Sequence, residues 1–264
     1  MRRSGFTLLE VIIAIAILSI LASMAVPYAA RLIDKSREES TRQEMENIYN
    51  IILGDPKVST GGYAGDLGRM PAGGDFTQLN VQGAQPAGGT GLLGVKFGWY
   101  GPYVNTGFDP QGYMNDAWGT AYRYGVAPDG AGQIRSAGAD RVFLTADDIV
   151  YPPNAVVFTG QLLVNLHVWD NGTSQFLLNP QPGAFPQMTA NVTFYYSNNG
   201  NQASVALNLP PSAGPPYSFN GYHQGLHAVT GTCRLTLGGP LVSGQATVYV
   251  PGNNQQAQLN MYLR

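Results

Sequence analysis

The stretch that decides the fold lies at the amino terminus, where residues 2–11 read RRSGFTLLEV and an apolar run continues to Val26. Between Phe6 and Val26 the only charged side chain is Glu10. A run of about 20 apolar residues can cross the hydrocarbon core of a bilayer, and an ionised acid in its middle costs on the order of 2.5–3.5 kcal/mol. A partner for Glu10 is therefore expected, and cleavage after Gly5 would create one, the positive α-amine of Phe6.

The residues alone are compatible with three roles for this apolar run. Arg2 and Arg3 precede it, which predicts that the leader stays cytoplasmic while the rest of the chain is exported. The run is then a secretory signal removed near Ser23–Ala25, a plain membrane anchor, or a segment with a more specialised role. The core of an ordinary signal peptide has no use for an acid, so Glu10 favours the third.

The sequence GFTLLE at residues 5–10, behind a basic leader and ahead of an apolar helix, resembles the class III signal of type IV pilins and type II secretion pseudopilins. The resemblance implies cleavage between Gly5 and Phe6 by a prepilin peptidase, followed by N-methylation of Phe6. It also implies that Glu10 guides each subunit into a helical homopolymer, built by an assembly platform in the inner membrane.

The sequence as a whole predicts an α+β fold, and we divide it into four parts. Residues 1–5 are the leader, and residues 6–53 form one long helix whose 6–27 part is the transmembrane and assembly segment. A loop-rich, pseudopilin-like globular domain follows at 54–151, and a β-sandwich at 152–264. Gly54 ends the helix, and Pro27 is expected to bend or loosen it. Its packing stripe is predicted at Leu32, Ile33, Ile48, Ile51 and Ile52.

Two segments of the globular domain resemble those of type II secretion major pseudopilins. Residues 116–122 read DAWGTAY, similar to a D-x-W-G-x-x-Y segment, and predict a tight turn with Trp118 as a structural plug before a strand at 121–126. Residues 136–149 carry three acids in one short loop, which would repel each other without a cation. Calcium takes six to eight oxygen ligands and suits such a loop.

The loop resembles the calcium loop S-x-G-x-D-G-x-x-G-T-x-D-D of those pseudopilins. The resemblance implies calcium as a cofactor, with side-chain ligands at Asp140, Asp147 and Asp148 and backbone carbonyl ligands at Ala137, Val142 and Thr145. Arg141 and Leu144 stand where the pattern has glycine, so the path of the loop is expected to differ. A metal-free cluster of aspartates with Arg141, or plain turn chemistry, remains an alternative.

After residue 152 the chain consists of short alternating runs separated by Gly, Pro and Asn turns. About seven strands in roughly 110 residues predict a β-sandwich of immunoglobulin-like connectivity. Such an added domain would decorate the outside of a filament. It either coats the shaft and adds lateral contacts, or binds a surface, a substrate or a neighbouring subunit.

Composition narrows the function classes. The net charge of −2 gives no reason to expect a nucleic-acid partner. The single cysteine, Cys233, excludes an internal disulfide. Neither a nucleophile-elbow motif nor a phosphate-binding loop is present, so no enzyme is predicted.

These features predict a structural subunit of a type IV pilus-like or type II secretion pseudopilus filament. Its precursor lies in a bacterial inner membrane, and the filament is periplasmic or extracellular. The alternative is a membrane-anchored periplasmic binding module that never polymerises.

Overall fold

The computed structural model describes residues 8–54, 61–72, 74, 76–104, 112–130, 132–208 and 216–264. One long helix, α1 (Leu8–Leu53), precedes a strand-rich region with several sheets. The predicted α+β class is therefore confirmed. Gly5 and Phe6, the predicted processing site, lie outside the described residues.

Helix α1 is continuous through Pro27 and divides into two parts by burial. Residues 8–40, the outer segment, are exposed at every position. Residues 41–53, the inner segment, bury Thr41, Met45, Ile48, Ile52 and Leu53. The predicted stripe is thus correct at Ile48 and Ile52 and wrong at Leu32 and Ile33, whose side chains are 51% and 54% exposed. The reason is that the globular domain begins to cover the helix only at Thr41.

Helix α1 ends where predicted. The N–H of Gly54 donates to the carbonyl oxygen of Asn50 at 2.8 Å, and Gly54 adopts a φ of 78°. A left-handed residue directly after the last turn is a common helix stop, and glycine adopts it without the Cβ clash.

The globular domain packs small elements on the inner segment. These are the helices α2 (Gly62–Leu67) and α3 (Thr77–Asn80) and the strands β1 (Gly89–Thr90), β2 (Lys96–Phe97), β3 (Arg123–Tyr124), β4 (Ile134–Ser136) and β5 (Ile149–Tyr151). Strands β1 and β2 pair with each other, and β3, β4 and β5 form an antiparallel sheet. Met45, Ile48 and Ile52 share a core with aromatic residues of this domain, among them Tyr63, Phe76 and Tyr124.

Eight strands follow: β6 (Thr159–Asp170), β7 (Gln175–Leu178), β8 (Thr189–Asn198), β9 (Asn201–Asn208), β10 (Tyr217–His223), β11 (Gly225–Arg234), β12 (Val242–Val250) and β13 (Gln256–Leu263). One sheet, here called the β6 sheet, has the order β10-β6-β13, with β7 pairing with β6 beyond the end of β10. The other, the β8 sheet, has the order β12-β11-β8-β9. Strand β13 runs parallel to β6, and every other pair is antiparallel.

The two sheets enclose a second hydrophobic core. Alternate residues of β6, namely Leu162, Val164, Leu166 and Val168, face Val192 and Phe194 of β8. The first domain packs on the β8 sheet, through α2 against β8 and β11. Direct hydrogen bonds fix this junction, because the Ser197 hydroxyl donates to the Asp66 carbonyl at 2.7 Å and the Gln224 side chain donates to the Leu53 carbonyl at 3.1 Å.

Candidate functional site

The first candidate site is the outer segment of α1. Its 33 residues extend about 50 Å at 1.5 Å per residue. Leu8, Met24 and Val26 are each at least two-thirds exposed, and no residue from Leu8 to Ser40 is covered by the described part of the chain. Helix α1 is long and apolar enough to cross a membrane by length and composition, a test that a cleavable signal sequence also passes. Such a surface requires lipid or other helices around it.

Glu10 lies in the first turn of α1, on an exposed surface. The α-amine expected from cleavage after Gly5 belongs to Phe6, outside the described residues. Of the two predicted assembly groups, the structure therefore describes the Glu10 side chain, and the α-amine of Phe6 lies outside it.

Beyond the apolar run, the outer segment carries weak ion pairs. Arg37 lies 3.7 Å from Asp34, and Arg42, the second residue of the inner segment, lies 2.9 Å from Glu38. All four side chains are about half exposed, so each pair contributes little to stability. This part of the helix is a solvated connection between the apolar run and the globular domain.

The segment at 116–122 fastens the globular domain to α1. The carboxylate of Asp116 is buried and accepts hydrogen bonds from the N–H groups of Trp118 and Thr120 and from the Ser136 hydroxyl, at 3.0, 2.9 and 2.6 Å. This fixes the turn that presents Trp118. The expected strand at 121–126 is shorter in the structure, since only Arg123 and Tyr124 belong to β3.

Three contacts then join the turn to the helix. The indole N–H of Trp118 donates to Asp34 at 3.5 Å, and the N–H of Ala117 donates to the Thr41 hydroxyl oxygen at 3.2 Å. The Tyr122 hydroxyl donates to Glu44 at 2.9 Å. Burial raises the pKa of Glu44, with the nearby Asp116 adding to the rise and the Tyr122 hydrogen bond opposing it. The predicted plug, Trp118, is 8% exposed.

The acidic loop at 136–149 takes a path set by left-handed residues. Gly138, Arg141 and Leu144 have φ values of 65°, 60° and 72°. The two positions where the resembled pattern has glycine therefore adopt a left-handed conformation that glycine favours. Non-glycine residues in this region store local strain.

The three acids of the loop are hydrogen-bonded within it. Asp147 accepts from the Asp140 N–H at 2.9 Å and from the Thr145 hydroxyl at 2.7 Å, which together hold its pKa below the usual value. Asp140 accepts from the Val142 N–H at 2.7 Å. The Thr145 hydroxyl oxygen also lies 3.0 Å from the Val142 carbonyl oxygen, one of the predicted carbonyl ligands. Ala137, another of them, is fully buried.

Asp148 has a partner that the sequence did not predict. Its side chain is 3% exposed and accepts a hydrogen bond from the Arg135 guanidinium at 2.6 Å. The same guanidinium binds Asp129 through two further hydrogen bonds, so it bridges two carboxylates. The cation beside the loop acids is therefore Arg135 of β4 rather than Arg141, which the sequence had suggested. Nothing in the spacing of residues 129, 135 and 148 shows that they meet.

A metal at this loop would need the acids to turn towards a common point. Among the described residues, no group of three His, Cys, Asp or Glu side chains is placed to hold a metal ion. The loop does offer oxygen atoms of the type that calcium prefers. The backbone N–H of Asp140 donates to the Asp147 carboxylate, which links these two residues, and the Val142 carbonyl lies close to Thr145. The donor set fits calcium in type, and Arg135 competes for Asp148.

Comparison with known proteins bears on the amino terminus. Residues 1–26 match the family model of the prokaryotic N-terminal methylation motif. No curated protein and no solved structure matches the chain. The motif and the apolar helix suggest a pilin-like substrate of a prepilin peptidase, and they are consistent with insertion of the precursor in the inner membrane.

Proposed function

We propose that this chain is the structural subunit of a filament, assembled through the outer segment of α1 after cleavage between Gly5 and Phe6. The observation that carries the proposal is that segment, which matches the methylation motif at its start and has its whole apolar surface uncovered. In the precursor lipid covers this surface. In the filament the same segments of neighbouring subunits replace the lipid.

Glu10 gives the assembly its register. A carboxylate in an apolar helix bundle is costly unless a charge of opposite sign is near, and the α-amine of Phe6 from a neighbouring subunit supplies one. Only one axial offset between subunits satisfies both groups. The apolar surface thus supplies the packing, and the charge pair selects the alignment.

The test is electron microscopy of filaments from cells producing the full chain and its Glu10→Ala variant. We expect abundant filaments from the unchanged chain and at least about tenfold fewer from the variant, because a lost buried pair is worth several kcal/mol. Glu39→Ala is the matched control, since Glu39 is an exposed acid on the same helix. Equal filament numbers for Glu10→Ala and Glu39→Ala would contradict the role of Glu10.

A membrane-anchored binding module that never polymerises is the competing function. It is supported by the second domain, which is larger than a shaft requires. Native filaments containing this chain would exclude it. A protein that stays monomeric in the inner membrane, with or without Glu10, would establish it instead.

Two kinds of filament are then possible. A secretion pseudopilus is short and stays in the periplasm, whereas a surface pilus extends outside the outer membrane. The resemblance of the segments at 116–122 and 136–149 favours the pseudopilin lineage, and the added sandwich favours a displayed fibre. We propose the pseudopilin lineage for the subunit and an exposed position for its second domain. Imaging whole cells decides between fibres outside the outer membrane and short periplasmic structures.

We further propose that the loop at 136–149 binds one calcium ion through oxygen atoms of Asp140, Asp147 and Asp148, with backbone carbonyls completing the shell. Its chemistry there is structural, because it would relieve the repulsion among the acids. Binding to the folded state alone raises the melting temperature by mass action. Arg135 offsets part of this gain, since it already neutralises Asp148.

Differential scanning calorimetry of the chelator-treated full chain, at increasing calcium concentrations, tests this loop. We expect a melting temperature that rises with added calcium, and no such rise in Asp147→Asn. Asp170→Asn is the control, because Asp170 is likewise an exposed turn acid that accepts from a backbone N–H and a threonine hydroxyl. A melting temperature unchanged by calcium, with no calcium found by elemental analysis of the native protein, would remove the metal from the account.

A further inference from the structure

The second domain is nearly free of charge. Between residues 152 and 264 the only Asp, Glu, Lys or Arg side chains are Asp170, Arg234 and Arg264. An ordinary soluble domain carries charge on about a quarter of its residues. Two of these three lie near the far end of the β6 sheet, and Asp170 is satisfied within its own turn by Gly172 and Thr173.

The outer face of the β6 sheet carries a block of aromatic side chains. His167 and Trp169 point outward from β6, because they alternate with the buried residues Leu166 and Val168. His167 stacks on Tyr262 of β13 with ring centroids 4.5 Å apart, and Phe176 of β7 touches both Trp169 and Tyr262, at 5.0 and 5.3 Å. The Arg264 guanidinium covers the Trp169 ring at 4.9 Å.

Amide side chains continue this face towards the first domain. The Asn179 side chain donates to Asn165 at 2.9 Å, and Asn165 donates to Asn260 at 3.2 Å. These bonds fix the orientation of the amides, because the Asn179 oxygen already accepts from the Leu166 N–H. Further rows on the same exposed side hold Ser218 and Gln258, then Asn220, Gln161 and Gln256.

The face is open and lies far from the anchor. The first domain packs on the other sheet, and β6 runs from the domain junction at Thr159 to the aromatic block, about 30 Å at 3.3 Å per residue. Tyr262 is 58% exposed and Phe176 is 40% exposed. Exposed aromatic side chains grouped in this way on a soluble domain mark an interaction surface.

The chemistry of the face selects the class of partner. A nucleic acid or an anionic membrane requires a basic surface, and this face has one cation, already stacked on Trp169. A second copy is disfavoured by area. Of the aromatic side chains only Tyr262 and Phe176 are roughly half exposed, so the aromatic block exposes well under the roughly 800 Å² per partner that a stable protein interface buries.

A neutral glycan matches what the face offers. The C–H faces of a β-linked hexose are flat and apolar, and they pack against an aromatic ring. Its hydroxyl groups both donate and accept, as oriented amide side chains require. A neutral polymer carries no charged groups, so its binding to this nearly uncharged surface takes no charge out of water.

We propose that the outer face of the β6 sheet binds a neutral, β-linked polysaccharide, with the exposed ring of Tyr262 as the stacking platform and Asn260, Gln258 and Asn165 as hydrogen-bonding groups. This holds whether or not the chain polymerises. If it does polymerise, each subunit adds one binding face, and the filament gains avidity from repetition.

Calorimetric titration of the full-length chain in detergent with cellohexaose and chitohexaose tests the proposal. We expect at least one of these neutral oligosaccharides to bind, with a change in Trp169 fluorescence, and polygalacturonate to bind more weakly. Tyr262→Ala and Asn260→Ala should each weaken binding about tenfold or more. Both side chains are exposed, so their loss leaves the melting temperature within a few degrees of the unchanged chain.

Tyr100→Ala is the matched control, because Tyr100 is a partly exposed tyrosine of the first domain, 36% exposed. Its affinity for the oligosaccharide should be unchanged. No binding of either neutral probe, equal binding by Tyr262→Ala, or stronger binding of polygalacturonate would overturn the proposal. Self-association that depends on Tyr262 in the absence of glycan would overturn it too, and would identify a second copy as the occupant.

Discussion

The outer and inner segments of α1 belong to one continuous helix, yet the inner segment is packed on the globular domain and the outer segment is exposed. The inner segment is amphipathic and buries one face, with Met45 and Ile52 fully covered. The outer segment begins with an apolar run that is uniform around the helix, and every residue of the segment is exposed. The inner segment therefore explains how the helix is held to the globular domain, and the outer segment provides the uncovered surface on which the proposed assembly rests.

The largest difference between the two segments should appear in folding stability. Ile52→Ala removes a fully buried side chain from the first core and should cost about 4 kcal/mol. Ile33→Ala changes a side chain that is 54% exposed and should cost less than about 0.5 kcal/mol. Denaturant unfolding of both variants in detergent measures the two values, and equal losses would show that the outer segment is packed on the domain.

A charge placed in the outer segment should act on the membrane and leave the fold unaffected. Ile17→Lys puts a cation near the middle of the apolar run and should cost about 3.5 kcal/mol of insertion free energy. We expect lower membrane recovery in cell fractionation, with an unchanged melting temperature of the protein that is recovered. Ser19→Ala at a neighbouring exposed position is the control, and full membrane recovery of Ile17→Lys would argue against a lipid-covered segment.

Acid should weaken the second domain before the first. Burial lowers the pKa of His227 to about 4, and the neighbouring His223 is lowered in the same way. The unfolded chain binds these protons more readily, so stability is lost as the pH falls from about 6.5 towards 4, by about 3 kcal/mol for His227.

His227→Gln should remove most of that acid sensitivity, because glutamine keeps a donor for the His223 carbonyl but does not titrate. Unfolding free energies at pH 7 and pH 4.5, compared between the two proteins, measure the difference. An unchanged pH slope in the variant would place the sensitivity elsewhere.

The smallest expected effect concerns the contact between Tyr122 and Glu44. A raised pKa in the fold means that the protonated acid is favoured, so stability falls as the pH rises through that value. Tyr122→Phe removes the hydrogen bond that supports the carboxylate. It should therefore cost about 1 kcal/mol at pH 7 and less at pH 4. Equal costs at both pH values would mean that Glu44 does not change its protonation state between them, which would contradict the expected pH dependence.

Local patterns predicted the long helix and most strands of the second domain, but not α2, α3, β1, β2, β4 and β5 of the first domain. The alternation of apolar residues identified β6, β8, β9, β11, β12 and β13, and glycine identified the end of α1. Strands β7 and β10 were missed. Strand β7 has only four residues, and in β10 the register shifts between Asn220 and Tyr222 at a left-handed Gly221, which interrupts the alternation.

The candidate sites were predictable only as far as they are local. The acids of the loop at 136–149 and Glu10 are visible in the sequence because each stands in a short motif. Arg135 was not, because its contacts with Asp129 and Asp148 depend on how β4 pairs within its sheet. The aromatic face is non-local as well, since Trp169, Phe176 and Tyr262 come from three strands.

The most direct test of the central claim is the amino terminus of the protein isolated from its native membrane or filament, measured by intact mass and terminal sequencing. We expect a chain that begins at Phe6, carries one added methyl group and retains the whole outer segment. A chain that still begins at Met1, or one cut near Ala25 and released without the segment, would contradict assembly through that helix.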